Sequence, residues 1–302
     1  MQVSLTYNIT RYFIGLVLGC VLAMPALAQD WIYSTRPGDN LWNLAEEYLV
    51  EGARYTERLR RHNGVNTPRQ IPAGTRIRFP IRWLKQQPAS ARLVRKAGDV
   101  MLLSAGETTS APVAQGAALN IGDRLETSSN SAATVQFADG SRMLVQAQSS
   151  LTFDSMSAYH TTGMVDTTMR LHRGRIENDV RRAAGPGSRF RIITPAAVAA
   201  VRGTDFRIGF HDDEETMFSE VTGGEVGVSG QNVTRELQAG FGLLAKTGSP
   251  PPPPRALLTA PDLASLPARA ERLLVEFEWP AVARSTSYRA QLYAAADLDS
   301  LL

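Results

Sequence analysis

The sequence is poor in the residues from which covalent and metal chemistry is built. Cys20 is the only cysteine among 302 residues, and His62, His160, His172 and His211 are the only histidines. A single cysteine excludes a disulfide framework and a multi-thiolate metal site. No two histidines stand at His-x-x-x-His spacing, so no metal ligand set is expected. A Gly-x-Ser-x-Gly elbow and a phosphate-cradling glycine loop are missing as well. No catalytic residue and no cofactor follows from the pattern. A glutamate-based hydrolase is the enzyme class that spacing alone leaves open. Charge of one sign is also scarce. A formal net charge of +3, with a pI near 9.2, is no nucleic-acid footprint. Beyond residue 23 no apolar run approaches the twenty or so residues a membrane helix needs.

What is present starts with an export signal over residues 1–28. Arg11 closes a short segment without acidic residues, an apolar run follows from Tyr12 to Ala23, and Pro25 breaks it. Ala26-Leu27-Ala28 then puts small residues at a signal-peptidase site, which would leave Gln29 first. A second processing route is open through Val17-Leu18-Gly19-Cys20, which would lipidate Cys20. The sequence does not settle the peptidase type. Either route implies a periplasmic protein without a membrane span after cleavage.

Composition then divides the chain. Residues 31–84 are mixed, with helix-like spacing. Residues 85–90 form a polar connector. Residues 91–246 are rich in Thr, Val, Ser and Gly, with short alternating runs and frequent turn signals, and predict an all-β domain. Thr134 to Val145 is the clearest hairpin, because Asp139-Gly140 supplies the positive φ of a tight turn. Gly98-Asp99-Val100, Gly174-Arg175-Ile176 and Gly224-Glu225-Val226 each predict the opening of a short strand. The proline run in 248–255 predicts a stiff linker. Five prolines in a polyproline conformation would span roughly 15 Å. Residues 256–302 hold two further alternating runs, Val275/Phe277/Trp279 and Tyr288/Ala290/Leu292. The expected fold class is therefore multidomain and mainly β.

Within 31–84, Trp31 to Thr35 alternates like a strand and Pro37-Gly38-Asp39 is a turn. Asp39 or Asn40 can cap a helix. Leu41, Leu44, Ala45 and Tyr48 recur at helical spacing, and Trp42 is counted with that apolar face. A second helix carries Tyr55, Leu59 and His62, with His62 expected exposed, and stops at Asn63 or Gly64. A strand over Arg76 to Pro80 completes the order strand–helix–helix–strand.

The stretch Tyr33-Ser34-Thr35-Arg36-Pro37-Gly38-Asp39-Asn40-Leu41-Trp42, with Leu59, Asn63 and Ile71-Pro72-Ala73-Gly74-Thr75, resembles a LysM domain. That resemblance implies an α+β fold and binding of N-acetylglucosamine-containing glycan, here peptidoglycan. It places the groove between two loops. Gly38, Asp39, Asn40 and Leu41 stand on one side. Asn66, Gln70, Ile71 and Pro72 stand on the other, with Ile71 as the apolar contact. The usual threonine after the aspartate is Asn40 here. Ten Lys and Arg against five Asp and Glu between Trp31 and Lys85 make this the basic part of the chain. Such a run also suits a solvated face.

Residues 91–246 resemble the FecR-type periplasmic domain. The match is carried by Gly122-Asp123-Arg124-Leu125, Phe137-Ala138-Asp139-Gly140-Ser141 and Leu171-His172-Arg173-Gly174. It is carried above all by Ile193-Thr194-Pro195 through Ala200-Val201-Arg202-Gly203-Thr204-Asp205-Phe206. The family relays signals across the inner membrane to a sigma factor. Only about ten residues precede the apolar run here, which leaves no room for a sigma-binding segment. The regulatory activity is therefore not carried over, and a ligand- or protein-binding β domain is expected. Arg202-Gly203-Thr204 is read as a turn with Arg202 paired to an acidic neighbour, and Asp212 to Glu215 as a hairpin tip. Leu274 to Pro280 and Ser287 to Leu292 resemble the opening strands of a fibronectin type III-like domain. About 45 residues are too few for such a sandwich, so the tail is expected to be an incomplete module with Trp279 poorly covered.

The leading expectation is a non-enzymatic, wall-associated binding protein. Its partners would be peptidoglycan and an unidentified envelope protein or ligand. An envelope-sensing signalling component is the alternative, and a wall hydrolase the third reading.

Overall fold

The computed structural model describes residues 29–263, 266, 277–286, 288 and 291. The export segment and most of the final alternating runs lie outside the described residues. Among the described residues, no helix is long and apolar enough to cross a membrane.

The N-terminal module has the expected order: β1 (Asp30–Ser34), α1 (Leu41–Tyr48), α2 (Thr56–Asn63) and β2 (Arg76–Pro80). β1 and β2 pair antiparallel, with Trp31 opposite Phe79 and Tyr33 opposite Ile77. Asn40 is the N-cap, and its Oδ1 accepts the Asn43 N–H at 2.9 Å. That bond satisfies one of the donors a helix start leaves free. Leu41, Leu44, Ala45 and Tyr48 are buried. α2 buries only Leu59 and ends at Gly64 in the left-handed region. Asn63 then clamps it to β2, donating to the carbonyls of Leu59 and Arg78 and accepting from the Arg78 N–H. His62 departs from the expected exposed position. Its Nε2 lies 2.8 Å from Asp30 Oδ2 and its ring meets Trp83 edge-on.

The second module is all β. Its first half contains β3 (Gln87–Pro88), β4 (Ala91–Ala97), β5 (Val100–Leu103), β6 (Ala111–Pro112), β7 (Ala118–Leu119), β8 (Arg124–Thr127), β9 (Ala132–Gln136), β10 (Arg142–Val145) and β11 (Ser150–Ala158). The second contains β12 (Val165–Asp179), β13 (Arg189–Ile193), β14 (Val198–Val201), β15 (Asp205–His211), β16 (Thr216–Gly223), β17 (Glu225–Gly230), β18 (Val233–Gln238), β19 (Phe241–Lys246) and β20 (Arg255–Ala256). By register these strands form two sheets joined through β12, around a continuous apolar core. The hairpin β9–β10 forms with Gly140 at φ +84°, and Asp212 to Glu215 is an exposed tip between β15 and β16.

β12 joins the two faces of this domain. Its first part pairs with β11 and β13, and residues 174–179 pair with β15. Gly174 sits at the switch with φ +89°, where a Cβ would fall 2.5 Å from Ser149 Cα. Gly174 therefore bends the middle of a strand instead of opening one, unlike Gly98 and Gly224, which precede β5 and β17.

The polar connector and the proline run are both packed against strands of the β domain. In the connector, β3 pairs with β11, Pro88 opposite Ser157 and Gln87 opposite Ala158. Tyr159 and Met164 of the β domain are buried in the same apolar cluster as Leu44, Tyr48 and Phe79. Gly187 lies close to both Ile81 and Tyr159, and only a small residue fits there. The modules thus share a core at this seam. In the proline run, Pro251 is buried, its carbonyl accepts from Arg235 Nε at 3.2 Å, and β20 adds to β19. Proline lacks a donor, so an edge position suits the run. Trp279 is half-buried, with its ring 5.6 Å from Tyr288, while Phe277 and Tyr288 remain exposed.

Candidate functional site

The two loops that the sequence places on either side of a groove are joined directly. The Leu41 N–H donates to the Pro68 carbonyl at 2.9 Å. The Thr35 hydroxyl donates to the Pro72 carbonyl at 2.7 Å, and the Gly74 N–H donates to the Thr35 carbonyl at 2.7 Å. Gly38 has φ +92° with nothing within 4 Å of an added Cβ, so glycine is needed there for conformation and not for space. Asp39 Oδ2 accepts from the Tyr33 hydroxyl at 2.9 Å and from the Arg36 N–H at 2.6 Å. Burial and then this Asp39 contact push the Tyr33 hydroxyl up to about 12. The turn is therefore fixed from below before any ligand arrives.

The eight residues assigned to the groove split by burial. Gly38, Asn66, Gln70 and Pro72 are exposed, and Asp39 and Asn40 are half-buried. Leu41 is 0% exposed and Ile71 only 7%, both within the module's core. Little or none of either side chain is open to a sugar ring. Leu41 and Ile71 hold the two loops from beneath.

Trp42 takes the opposite course. Counted with the core in the sequence, it is 61% exposed. The buried stripe is centred between Leu44 and Ala45, and a residue directly after Leu41 lies about 100° round the helix from it. That offset was the available signal. Trp42 stands in the first turn of α1, two residues after Asn40. The other end of α1 carries Tyr48, whose ring meets His160 of the β domain. The groove and the seam thus occupy opposite ends of one eight-residue helix.

Comparison with known proteins gives two family matches. Residues 33–80 match the LysM domain family and residues 123–227 match the family described as FecR protein. The chain carries a LysM domain followed by a FecR-type domain. Both families are binding or signalling domains, not catalytic ones. Two crystal structures of a candidate anti-sigma factor from Parabacteroides distasonis ATCC 8503 are similar over 44% of this chain. Identities are 17% and 18%, with TM-scores of 0.37 and 0.36. The chain spans 59% of that protein's length, and the likeness is too distant to carry an argument. No curated protein matches the chain.

The FecR-type domain departs from one expectation. Gly203 is needed, at φ +113° with an added Cβ only 2.6 Å from Arg182 Cα. Arg202, however, forms no ion pair within 4 Å among the described residues. No sequence pattern could separate a paired arginine from an unpaired one here, because the facing residues come from distant strands.

Proposed function

We propose that this protein is exported to the periplasm and binds peptidoglycan through its LysM domain, with no enzyme activity of its own. Its FecR-type domain is then presented beside the wall for a protein or ligand partner. The observation that supports this best is the pair of joined loops. Two loops are locked together by the Leu41–Pro68 bond, with exposed backbone at Gly38 and an exposed Trp42 in the first turn of α1. Backbone amides of such a turn suit acetamide groups, and an indole face suits the apolar face of a hexose. Gly38, Asp39, Asn40, Asn66, Gln70 and Pro72 form the polar lining of this reading, and Trp42 replaces Ile71 as its apolar contact. The packed seam makes the wall anchor and the β domain one body, so wall binding would fix where the β domain stands.

Retention on purified sacculi, and titration with N-acetylglucosamine oligomers, test this directly. The full chain is expected to co-sediment and Trp42→Ala to lose most of that retention while melting normally. Retention unchanged by Trp42→Ala, or no affinity for either probe, would remove the groove assignment. The FecR match favours a second reading, an envelope-sensing signalling component. Wall binding is compatible with it, and a signalling output lost on deletion of residues 91–246 would select it.

A further inference from the structure

The outer face of β13, β14, β17 and β18 forms a groove of about 970 Å³. Its floor is small: Ala200 pairs with Gly227, and Ser229 lies two residues further along β17. The Glu236 carboxylate leans over this floor, 3.2 Å from where a Cβ on Gly227 would stand, so a docked backbone meets or displaces it.

The two walls carry opposite charge. Arg189 and Arg191 stand on β13, and Arg202 follows the last residue of β14. Arg182 reaches the same wall from the loop after β12. One carboxylate, Asp166, serves two of these four guanidinium groups, at 3.7 Å from Arg189 and 3.4 Å from Arg191. Arg182 and Arg202 are exposed and form no ion pair among the described residues. Arg191 Nε is buried without a hydrogen-bond partner. On the far wall, Glu236 is opposite Gly227 and Gln238 opposite Glu225. These glutamates also form no ion pair, although Glu225 lies one step beyond the Val201–Val226 pair, beside Arg202. The two walls face one another across the small-residue floor without closing on each other.

We propose that this groove docks an extended peptide segment of a partner protein, with carboxylates toward the arginine wall and basic or amide groups toward the glutamate wall. An extended chain sends alternate side chains to opposite sides. A segment lying along the floor would therefore separate its charges in the way the walls require. Guanidinium forks hold carboxylates through two parallel hydrogen bonds, which gives the wall direction as well as attraction. A uniformly anionic polymer matches the groove less well, because Glu225 and Glu236 would repel it. The inference deepens the reading of the FecR-type domain as a binding module and does not depend on the LysM groove.

The test uses the full chain and a fluorescently labelled octapeptide of alternating Glu and Lys. Its comparators are the block isomer with four Glu followed by four Lys, and polygalacturonate. In anisotropy titrations the alternating peptide is expected to bind at least tenfold more tightly than its block isomer. Arg182→Glu with Arg202→Glu should abolish that binding, and Arg95→Glu on β4 should leave it unchanged. If the double reversal melts early, Arg182→Ala with Arg202→Ala is expected to weaken binding at least fivefold. Equal affinity for the two peptide isomers, binding that survives both double variants, or preference for polygalacturonate would overturn the proposal. Sacculus retention of the same variants should stay at the wild-type level, so a failure of wall binding would be read separately.

Discussion

The two candidate binding surfaces are built on different principles. In the LysM domain the groove is a matter of backbone. Its loops are tied by main-chain bonds at Leu41–Pro68 and Gly74–Thr35, its carboxylate Asp39 is consumed in holding the turn, and its exposed contact is a neutral indole. On the FecR-type domain β13, β14 and β17 are paired on both sides, and β18 is paired with β17. What that face offers a ligand is side-chain charge. The first surface should accordingly tolerate salt, whereas the second should lose affinity as screening rises. A glycine also means different things in the two places. Gly38 is needed for its φ alone, with open space around it, while Gly174 is needed for both φ and room.

That last contrast gives the largest expected effect. Gly174→Val would drive side-chain atoms into the Ser149 backbone at a strained φ, costing on the order of 5 kcal/mol and leaving little folded β domain. Gly38→Ala meets only conformational strain, about 1–2 kcal/mol. Thermal melts of the two variants should differ widely, and equal loss would show that space is not the deciding factor.

The next effect separates core from groove. Ile71→Ala removes a buried side chain and should cost roughly 3 kcal/mol of stability. Trp42→Ala removes an exposed one and should leave the melt within about 0.5 kcal/mol of the parent. Its glycan affinity should nevertheless fall about tenfold, equivalent to roughly 1.4 kcal/mol. A calorimetric titration in which Ile71→Ala, still folded, loses more affinity than Trp42→Ala would reverse the assignment of the apolar contact.

The smallest effect is a pH dependence confined to the β domain. His172 is held below its ordinary 6.5, first by burial and then by the Arg124 and Arg170 charges, and its Nε2 lies 2.9 Å from the Thr152 hydroxyl. The unfolded chain therefore binds this proton more readily than the folded one. Stability from this residue is present above pH 6.5 and is lost as the pH falls through the lowered folded value. His172→Gln should flatten that part of the curve. A melt whose acid sensitivity is unchanged by the substitution would place it elsewhere.

Much of the N-terminal module was legible because its signals are local. The alternation of Trp31 to Thr35, the spacing of Leu41, Leu44, Ala45 and Tyr48, the cap at Asn40 and the stop at Gly64 each lie within a few residues of what they control. The hairpin at Asp139-Gly140 was readable for the same reason. Burial at the edges of these elements was harder to read. Trp42 lies just outside the buried arc and Ile71 just inside the core. Hydrophobicity alone gives the two residues the same expectation, and only the positions of their neighbours distinguish them.

The sequence by itself determined the two modules, their order and the mainly β character of the chain. All of these follow from short-range periodicity, turn chemistry and family resemblance. The tertiary structure decided the rest. It packed residues 85–90 and the proline run onto the β domain, buried Tyr159 and Met164 in the LysM core, bent β12 at Gly174 and aligned four arginines opposite two glutamates. Each of these depends on which strands become neighbours. Strand pairing joins residues tens of positions apart through backbone bonds that are the same for every side chain, so the local pattern does not record it.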